Sequence, residues 1–224
     1  MSPISPLMLS PAHSHLVCFA VQEESGAFRR AVQDVDKATV IHVGMGQANA
    51  RRAIEAALDQ ATPDRVITAG FAGGLNPEFD CGDVVFDVDE TLRSPEAIDG
   101  FRCAAGVFHC ADRVATTPKE KAVLRGTSNA DAVEMESGVI REICGKRGIP
   151  SATVRVISDA ANEGLPLDFN ALMKPDMSMD FVKLAGALLR SPGKIPELIR
   201  FQGRLKTAAA NLSQILVRMI EADR

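Results

Sequence analysis

Short apolar runs alternate along this chain with stretches whose apolar residues recur every three or four positions. Apolar runs rich in β-branched residues predict buried strands, and the wider spacing predicts helices. The predicted strands are residues 15–21, 38–47, 65–70, 83–88, 106–110 and 152–158. Helical patterns follow most of them, so the alternation predicts an α/β fold in which several strands run parallel.

Proline, glycine and helix-capping residues indicate further boundaries between helices, strands and loops. The Thr117-Pro118-Lys119-Glu120 segment is a capping box with proline at the first helical position, which predicts a helix start. Residues 71–82 contain several glycines and are predicted to be a loop, whereas residues 89–105 have no assignable pattern. Gly44 and Gly46 form a Gly-x-Gly turn, which serves either as a tight turn alone or as a site for an anion or polar ligand edge.

The C-terminal segment, residues 178–222, combines an apolar stripe with a basic face. Apolar residues recur every three or four positions after Pro196, which predicts a helix. This helix is expected to close the fold by packing on the sheet. Contact with an anionic membrane surface, with Leu188, Leu189 and Ile195 exposed, is the alternative and is not favoured. The stripe consists of Leu198, Phe201, Leu205, Ala208, Leu212, Ile215 and Met219.

Composition limits the function. The chain has 224 residues, 46% of them hydrophobic, which suits one domain spanning residues 1–224. A net charge of −4 argues against a nucleic-acid partner. Five cysteines without CxxC spacing argue against disulfides and structural zinc, so a cytoplasmic location is expected. Residues 1–14 lack signal-peptide features and are expected to be a flexible leader.

The segment from Asp131 to Asp159 carries the strongest chemical signal. It reads as a short strand, a helix and a buried strand, with Glu134, Glu136 and Asp159 at the strand ends. Ligands of open α/β sheets collect at the carboxyl ends of strands. Each carboxylate also has a structural explanation, because Asp is a common turn former and paired glutamates can lie on a solvated strand end. The segment therefore predicts a candidate site.

Three motifs carry a family resemblance: VEMES at 133–137, VRVISDAAN at 154–162 and TAGFAGGLNPEFDCGDVV at 68–85. Together they resemble the nucleoside phosphorylase and nucleosidase family, over residues 15–163. The chain is most similar to the methylthioadenosine/S-adenosylhomocysteine nucleosidases, and its C-terminal half is also similar to hopanoid-associated phosphorylases. The resemblance implies a three-layer α/β/α sandwich with a central mixed β-sheet.

The resemblance also implies roles for individual residues. Asp159 would be the general acid that protonates the leaving purine. Glu136 would accept hydrogen bonds from the ribose hydroxyls, with Met135 packed against the sugar. Glu24 would activate the attacking water, or Glu23 if the register differs by one; the structural alternative is a helix-start glutamate. The remaining expected contacts are Glu134, Ala72, Gly73, Ser158 and a backbone group near Ala115.

The family contains both hydrolases and phosphorylases. No arginine lies in VGMGQ or TAGFAGG, where the phosphorylases hold phosphate, and this absence favours hydrolysis. Two positions depart from the nucleosidase pattern: Phe71 replaces a small polar residue, and Val114 stands where an aromatic ring stacks on the purine. Since the chain has no Trp or Tyr, stacking must come from Phe, such as Phe71.

The sequence therefore predicts a purine nucleosidase that releases adenine from a 5′-substituted nucleoside, as in methionine salvage. The first alternative is a phosphate-dependent phosphorylase acting on a lipid-linked, hopanoid-type adenosine. The second is a nucleoside-binding module without turnover. No metal or organic cofactor is expected, because the four histidines have no ligand spacing to the glutamates. A homodimer is expected from the resemblance alone.

Overall fold

In the part of the chain that the structure describes, eight strands form one mixed β-sheet. The structure is a computed structural model that describes residues 15–32, 38–96 and 98–222, so the predicted leader at 1–14 lies outside the described residues. The strands are β1 His15–Phe19, β2 Ala38–His42, β3 Arg65–Gly74, β4 Val84–Val88, β5 Cys103–Ala105, β6 Phe108–Cys110, β7 Ala132–Glu134 and β8 Ser151–Asp159.

Among the described residues, six α-helices connect or flank these strands. They are α1 Gln22–Ala31, α2 Gln47–Gln60, α3 Pro118–Ser128, α4 Ser137–Lys146, α5 Phe181–Arg190 and α6 Ile195–Ala222. Short 3₁₀ turns lie at Asn170–Leu172 and Pro192–Lys194. The start of α3 confirms the capping-box prediction, because Thr117 accepts a hydrogen bond from the Glu120 backbone N–H.

The strand order is β2-β1-β3-β8-β4-β5. Strand β1 is parallel to β2 and β3, and β3 is parallel to β8. Strand β4 is antiparallel to β8 and parallel to β5. The β8 strand was expected to belong to a parallel sheet; it has one parallel and one antiparallel neighbour, which makes the sheet mixed as predicted.

Helices cover both faces of the sheet. On one face, Phe28 of α1 and Leu212 and Ile215 of α6 pack in a cluster that includes Val154. On the other face, residues of α2 and α4 pack together over β1 and β3. The apolar residues that recur every three or four positions along α2 are buried on this face, namely Ala50, Ile54, Ala57 and Leu58. The three-layer α/β/α prediction is confirmed.

The prediction of a loop at residues 71–82 is wrong for its first four residues, because β3 continues to Gly74. At this end β3 pairs with β8 and with β7, where Gly73 faces Val133 and Gly74 faces Ala132. Glycine permits this crowding: a Cβ on Gly74 would lie 3.3 Å from the Asp159 carbonyl oxygen. The unassigned segment 89–105 contains β5, whose three residues are too few for a visible period.

The C-terminal helix packs its apolar stripe as predicted. Phe201, Ala208, Leu212, Ile215 and Met219 are buried, and Leu198 and Leu205 are partly buried. Helix α5 differs, because none of its residues is buried. Within the described residues, no helix is long and apolar enough to cross a membrane.

Candidate active site

All nine residues predicted for the site line a single cavity of about 280 Å³. The cavity lies where β1, β3, β7 and β8 end, so four strands deliver its polar groups. Its walls are otherwise mostly apolar and include Met45, Phe71, Phe169, Met173 and Phe201. The nine predicted residues are Glu24, Ala72, Gly73, Ala115, Glu134, Met135, Glu136, Ser158 and Asp159.

Glu24 is held by the backbone at the start of α1. Its Oε2 accepts hydrogen bonds from the N–H groups of Ala20 at 3.0 Å and Val21 at 3.3 Å. Its Oε1 accepts from the Phe71 N–H at 2.9 Å. Burial raises the pKa of Glu24, although Arg155 and the three N–H groups act in the opposite direction. Glu24 lines the cavity, whereas the side chain of Glu23 is exposed.

Both carboxylate oxygens of Glu134 accept hydrogen bonds from protein groups. Its Oε2 accepts from the backbone N–H groups of Glu136 at 2.9 Å and Ser137 at 2.7 Å, and its Oε1 accepts from Ser137 Oγ at 2.8 Å. The same carboxylate lies 2.7 Å from Arg155 Nη2. Burial acts to raise the pKa of Glu134, but Arg155 and these N–H groups hold it below its usual value. Glu134 therefore secures the start of α4.

Glu136 connects the cavity with the Gly-x-Gly turn. Its Oε1 accepts a hydrogen bond from the Gly46 N–H at 2.8 Å, and its Oε2 lies 3.5 Å from Arg155 Nη2. Burial, reinforced by the nearby Glu134 carboxylate and opposed by Arg155, raises the pKa of Glu136 to about 7. The turn thus presents an N–H at the start of α2 to a protein carboxylate. Gly46 adopts φ of 82°, which explains the glycine.

Arg155 is a buried charged residue behind the cavity that sequence reasoning missed. Its side chain is 1% exposed, and its Nη2 contacts Glu134, Glu136 and, at 3.1 Å, Thr68 Oγ1. A Cβ on Gly70 would lie 2.5 Å from Arg155 Nη1, so glycine is required opposite this guanidinium. The available signal was an arginine in the middle of a strand predicted to be buried, since buried charges need partners.

Asp159 ends β8 and is 3% exposed. Its Oδ2 forms an ion pair with Lys121 of α3, a second residue that sequence reasoning missed. Its Oδ1 contacts Ser158 Oγ, which also lies 3.1 Å from the Ala72 carbonyl oxygen. The end of β8 is therefore held by α3 on one side and by β3 on the other.

The opposite end of the cavity offers backbone groups and phenyl rings. Asn170 occupies both backbone groups of Val114, with Oδ1 accepting from its N–H at 3.0 Å and Nδ2 donating to its carbonyl at 2.9 Å. Hence the Val114 N–H is already used, and Ala115 stays the candidate for contact with a base edge. Phe71 and Phe169 line the cavity and could stack on a ring.

Comparison with known proteins places this geometry in context. The family model described as Phosphorylase superfamily matches residues 12–89 and 86–191. A 5′-methylthioadenosine/S-adenosylhomocysteine nucleosidase of Geobacillus thermodenitrificans is 29% identical over 172 residues, covering 62% of this chain and 73% of that protein. The enzyme of the same name from Shewanella oneidensis is 29% identical over 171 residues, covering 59% and 70% of the two chains.

Solved structures share the architecture. The Helicobacter pylori 5′-methylthioadenosine/S-adenosylhomocysteine nucleosidase superposes with a TM-score of 0.67 at 16% identity, covering 95% of this chain and all 100% of the other. The Neisseria meningitidis enzyme of that name, in complex with methylthio-immucillin-A, gives 0.67 at 21% identity, covering 94% and 99%. Futalosine hydrolase of Helicobacter pylori gives 0.66 at 15%, covering 95% and 100%. At these identities the matches show a common fold.

The opposite pKa shifts of two neighbouring glutamates predict opposite effects on stability. Because the pKa of Glu136 rises from 4.5 to about 7 on folding, its contribution is present below the lower value and lost as pH rises through the upper one. Glu136→Gln should therefore be more stable than the parent above neutral pH, by about 2 kcal/mol. Urea unfolding between about pH 5 and about pH 8 measures this difference.

Glu134→Gln is the matched control. The pKa of Glu134 is lowered on folding, so its contribution is present at neutral pH and is lost only in acid. This variant should be less stable than the parent near neutral pH. A Glu136→Gln variant that is less stable than the parent at about pH 8 would contradict the electrostatic analysis.

Proposed function

Since this chain belongs to the phosphorylase superfamily, we propose that it is a purine nucleosidase. It hydrolyses the N-ribosidic bond of an adenine-bearing nucleoside with a 5′ substituent and releases adenine. The names of the curated relatives support this substrate class. The reaction uses side chains only, with no metal or organic cofactor. The observation that carries the proposal is the arrangement of Glu24, Glu136 and Asp159 around one cavity.

Asp159 is the general acid in this proposal. A proton moves from its carboxyl to a ring nitrogen of the purine, and the C1′–N9 bond breaks with its electron pair entering the ring. Adenine then leaves as a neutral base, which is the better leaving group. Ser158 and Lys121 hold the two carboxylate oxygens in place for this transfer.

Glu24 is the water activator. Hydrolysis at C1′ needs a base that accepts a proton near neutral pH, and the raised pKa of Glu24 suits that task. The attacking water gives one proton to Glu24 and its oxygen to C1′. Three backbone N–H groups fix the carboxylate, so the base is aimed before substrate arrives.

The same contacts favour water over phosphate. A phosphate group at this position would need N–H donors or arginines, but the N–H groups of Ala20, Val21 and Phe71 already bind Glu24. An ionised Glu24 would also repel the anion. Among the described residues that line the cavity, Arg113 is the one arginine, and it is largely exposed and pairs with Glu120 at 2.7 Å.

Glu136 and Met135 form the ribose subsite. The Glu136 carboxylate can accept hydrogen bonds from a vicinal diol with its Oε2 while Gly46 holds its Oε1. Glu134 was expected to contact substrate, but its oxygens are engaged by Ser137, Arg155 and the backbone. We therefore assign Glu134 to the support of Arg155 and α4.

The remaining walls suit an apolar 5′ substituent. Met45, Met173, Met179, Phe201 and Leu205 line the cavity, and thioether side chains adapt to apolar groups of varied shape. A methylthio group is apolar and therefore suits this lining. S-adenosylhomocysteine carries a charged amino-acid end, for which this apolar wall offers no partner.

A phosphorylase acting on a lipid-linked, hopanoid-type adenosine is the second candidate. Helix α5 favours it, because Phe181, Val182 and Leu189 are 74%, 83% and 84% exposed and Met179 of the cavity directly precedes this helix. Contact with an anionic membrane surface through this region stays a less favoured hypothesis. A binding module without turnover is disfavoured, since the catalytic carboxylates occupy one cavity.

Three expectations from the sequence stay predictions. The chain is expected to act as a single domain, in the cytoplasm and as a homodimer. A role in methionine salvage agrees with the names of the relatives.

Adenine release from methylthioadenosine should proceed at the same rate with and without inorganic phosphate. Because water is the proposed nucleophile, the sugar product should be a free reducing sugar, and in ¹⁸O-labelled water it should carry the label on C1. Mass spectrometry of the product measures this. A rate that requires phosphate, or a sugar 1-phosphate product, would replace the hydrolase with the phosphorylase.

Asp159→Asn and Glu24→Gln should each lower kcat by ~10²-fold or more, because each removes one proton-transfer step. Both amides preserve the shape of the side chain, so circular dichroism should be unchanged. Glu23→Gln is the matched control, since its side chain is exposed and should be dispensable. Full turnover in Glu24→Gln would remove Glu24 from the mechanism.

A further inference from the structure

Lys121 is a fully buried cation beside the proposed acid. Its side chain is 0% exposed, and lysine is almost never buried without partners. Its Nζ donates to the backbone carbonyls of Ala160 at 2.6 Å, Glu163 at 2.9 Å and Asp159 at 3.2 Å. The fourth contact is Asp159 Oδ2, which forms an ion pair with Nζ. An ammonium has three N–H donors, and three backbone carbonyls accept from this one, so its contact with Asp159 is electrostatic.

The place of Lys121 in its helix is unusual. Within α3, all of which the structure describes, Lys121 is the one buried residue. A helix normally buries an apolar side chain at such a position, and a well-packed apolar residue stabilises a fold as well as a buried ion pair does. Stability alone therefore does not account for this lysine. Its contact with Asp159 suggests a role in the chemistry.

Other charged groups near Asp159 are already paired or neutral. Arg204 of α6 acts on Asp159 from a distance, but its Nη1 lies 2.6 Å from Glu163 Oε1. Cys81 also faces this region, and burial raises the pKa of its thiol, which keeps it uncharged. Lys121 is thus the group in direct contact that sets the charge balance of Asp159.

We infer that Lys121 is the positioning residue and counter-ion of Asp159, an inference that rests on the proposed nucleosidase reaction. When Asp159 gives its proton to the purine, the Oδ–H bond breaks and an N–H bond forms on the base. The carboxylate that remains is neutralised by the ammonium already in contact with Oδ2. The ion pair with Lys121 stabilises the carboxylate that forms as the C1′–N9 bond breaks.

Ser158 complements this arrangement. Its single hydroxyl proton has two acceptors nearby, Asp159 Oδ1 and the Ala72 carbonyl. When the Ser158 hydroxyl donates to the Ala72 carbonyl, its oxygen can accept a hydrogen bond from a protonated Oδ1 of Asp159. When Asp159 is ionised, the hydroxyl can turn to donate to it. Lys121 on one oxygen and Ser158 on the other therefore accommodate Asp159 before and after transfer.

Lys121→Gln separates charge from structure. Glutamine retains N–H donors for the backbone carbonyls but removes the ammonium, and Lys121→Met removes both. Without the ammonium, the carboxylate that proton transfer leaves behind has no counter-ion, so the transfer should be slower. With methylthioadenosine as the probe, kcat should fall by about 10- to 100-fold in Lys121→Gln, with KM changed little.

Lys119→Met is the matched control, because Lys119 is exposed on the same helix. It should leave kcat and KM at parental values. A parent protein that releases no adenine would refute the proposed function itself. A parent that turns over, together with a folded Lys121→Gln variant that keeps the parental kcat, would overturn the role of Lys121 alone. Unfolding of both Lys121 variants would assign this residue to stability and would also overturn it.

Discussion

One buried guanidinium faces three buried carboxylates, and the site depends on this imbalance. Arg155 contacts Glu134 at 2.7 Å and Glu136 at 3.5 Å, and its charge also acts on Glu24. A single positive charge cannot offset three negative ones in a low-dielectric interior. Arg155 and backbone N–H groups hold the pKa of Glu134 below its usual value, whereas burial raises the pKa values of Glu24 and Glu136 against the opposing effect of Arg155. The three carboxylates therefore differ in protonation although they share one guanidinium.

The topology of the sheet brings these charged side chains together. Parallel pairing of β1, β3 and β8 brings their carboxyl ends to one edge, and the fork at the end of β3 adds β7 beside them. Gly70 leaves room for Arg155 and Gly74 for the end of β8, so small residues on β3 permit charged residues on neighbouring strands. A second buried ion pair joins Lys121 and Asp159 at the end of β8. The proposed acid, Asp159, and the proposed base, Glu24, therefore have different cationic neighbours.

Sequence patterns predicted the parts of this site that local chemistry specifies. Strand ends, the capping box at Thr117 and the motif carrying Glu136 were recognisable because each depends on neighbours in the chain. The extension of β3 to Gly74 was not, since its pairing partners lie far away in sequence. Arg155 and Lys121 were missed for the same reason. One charged residue in an apolar strand, or on a polar helix, does not change the periodic pattern of apolar positions. Their partners become visible only when β7, β8 and α3 meet.

The dependence of the site on Arg155 is tested most directly by a double-mutant cycle with Glu134. The free energy of unfolding would be measured by urea titration at about pH 7.5 for Arg155→Met, Glu134→Gln and the double variant. Each single change leaves a buried charge without its partner, which costs about 3 to 5 kcal/mol. The double variant should be less destabilised than the sum of the singles by about 2 kcal/mol or more. Additive losses would contradict the account, because they would mean that Arg155 and Glu134 do not compensate each other's charge.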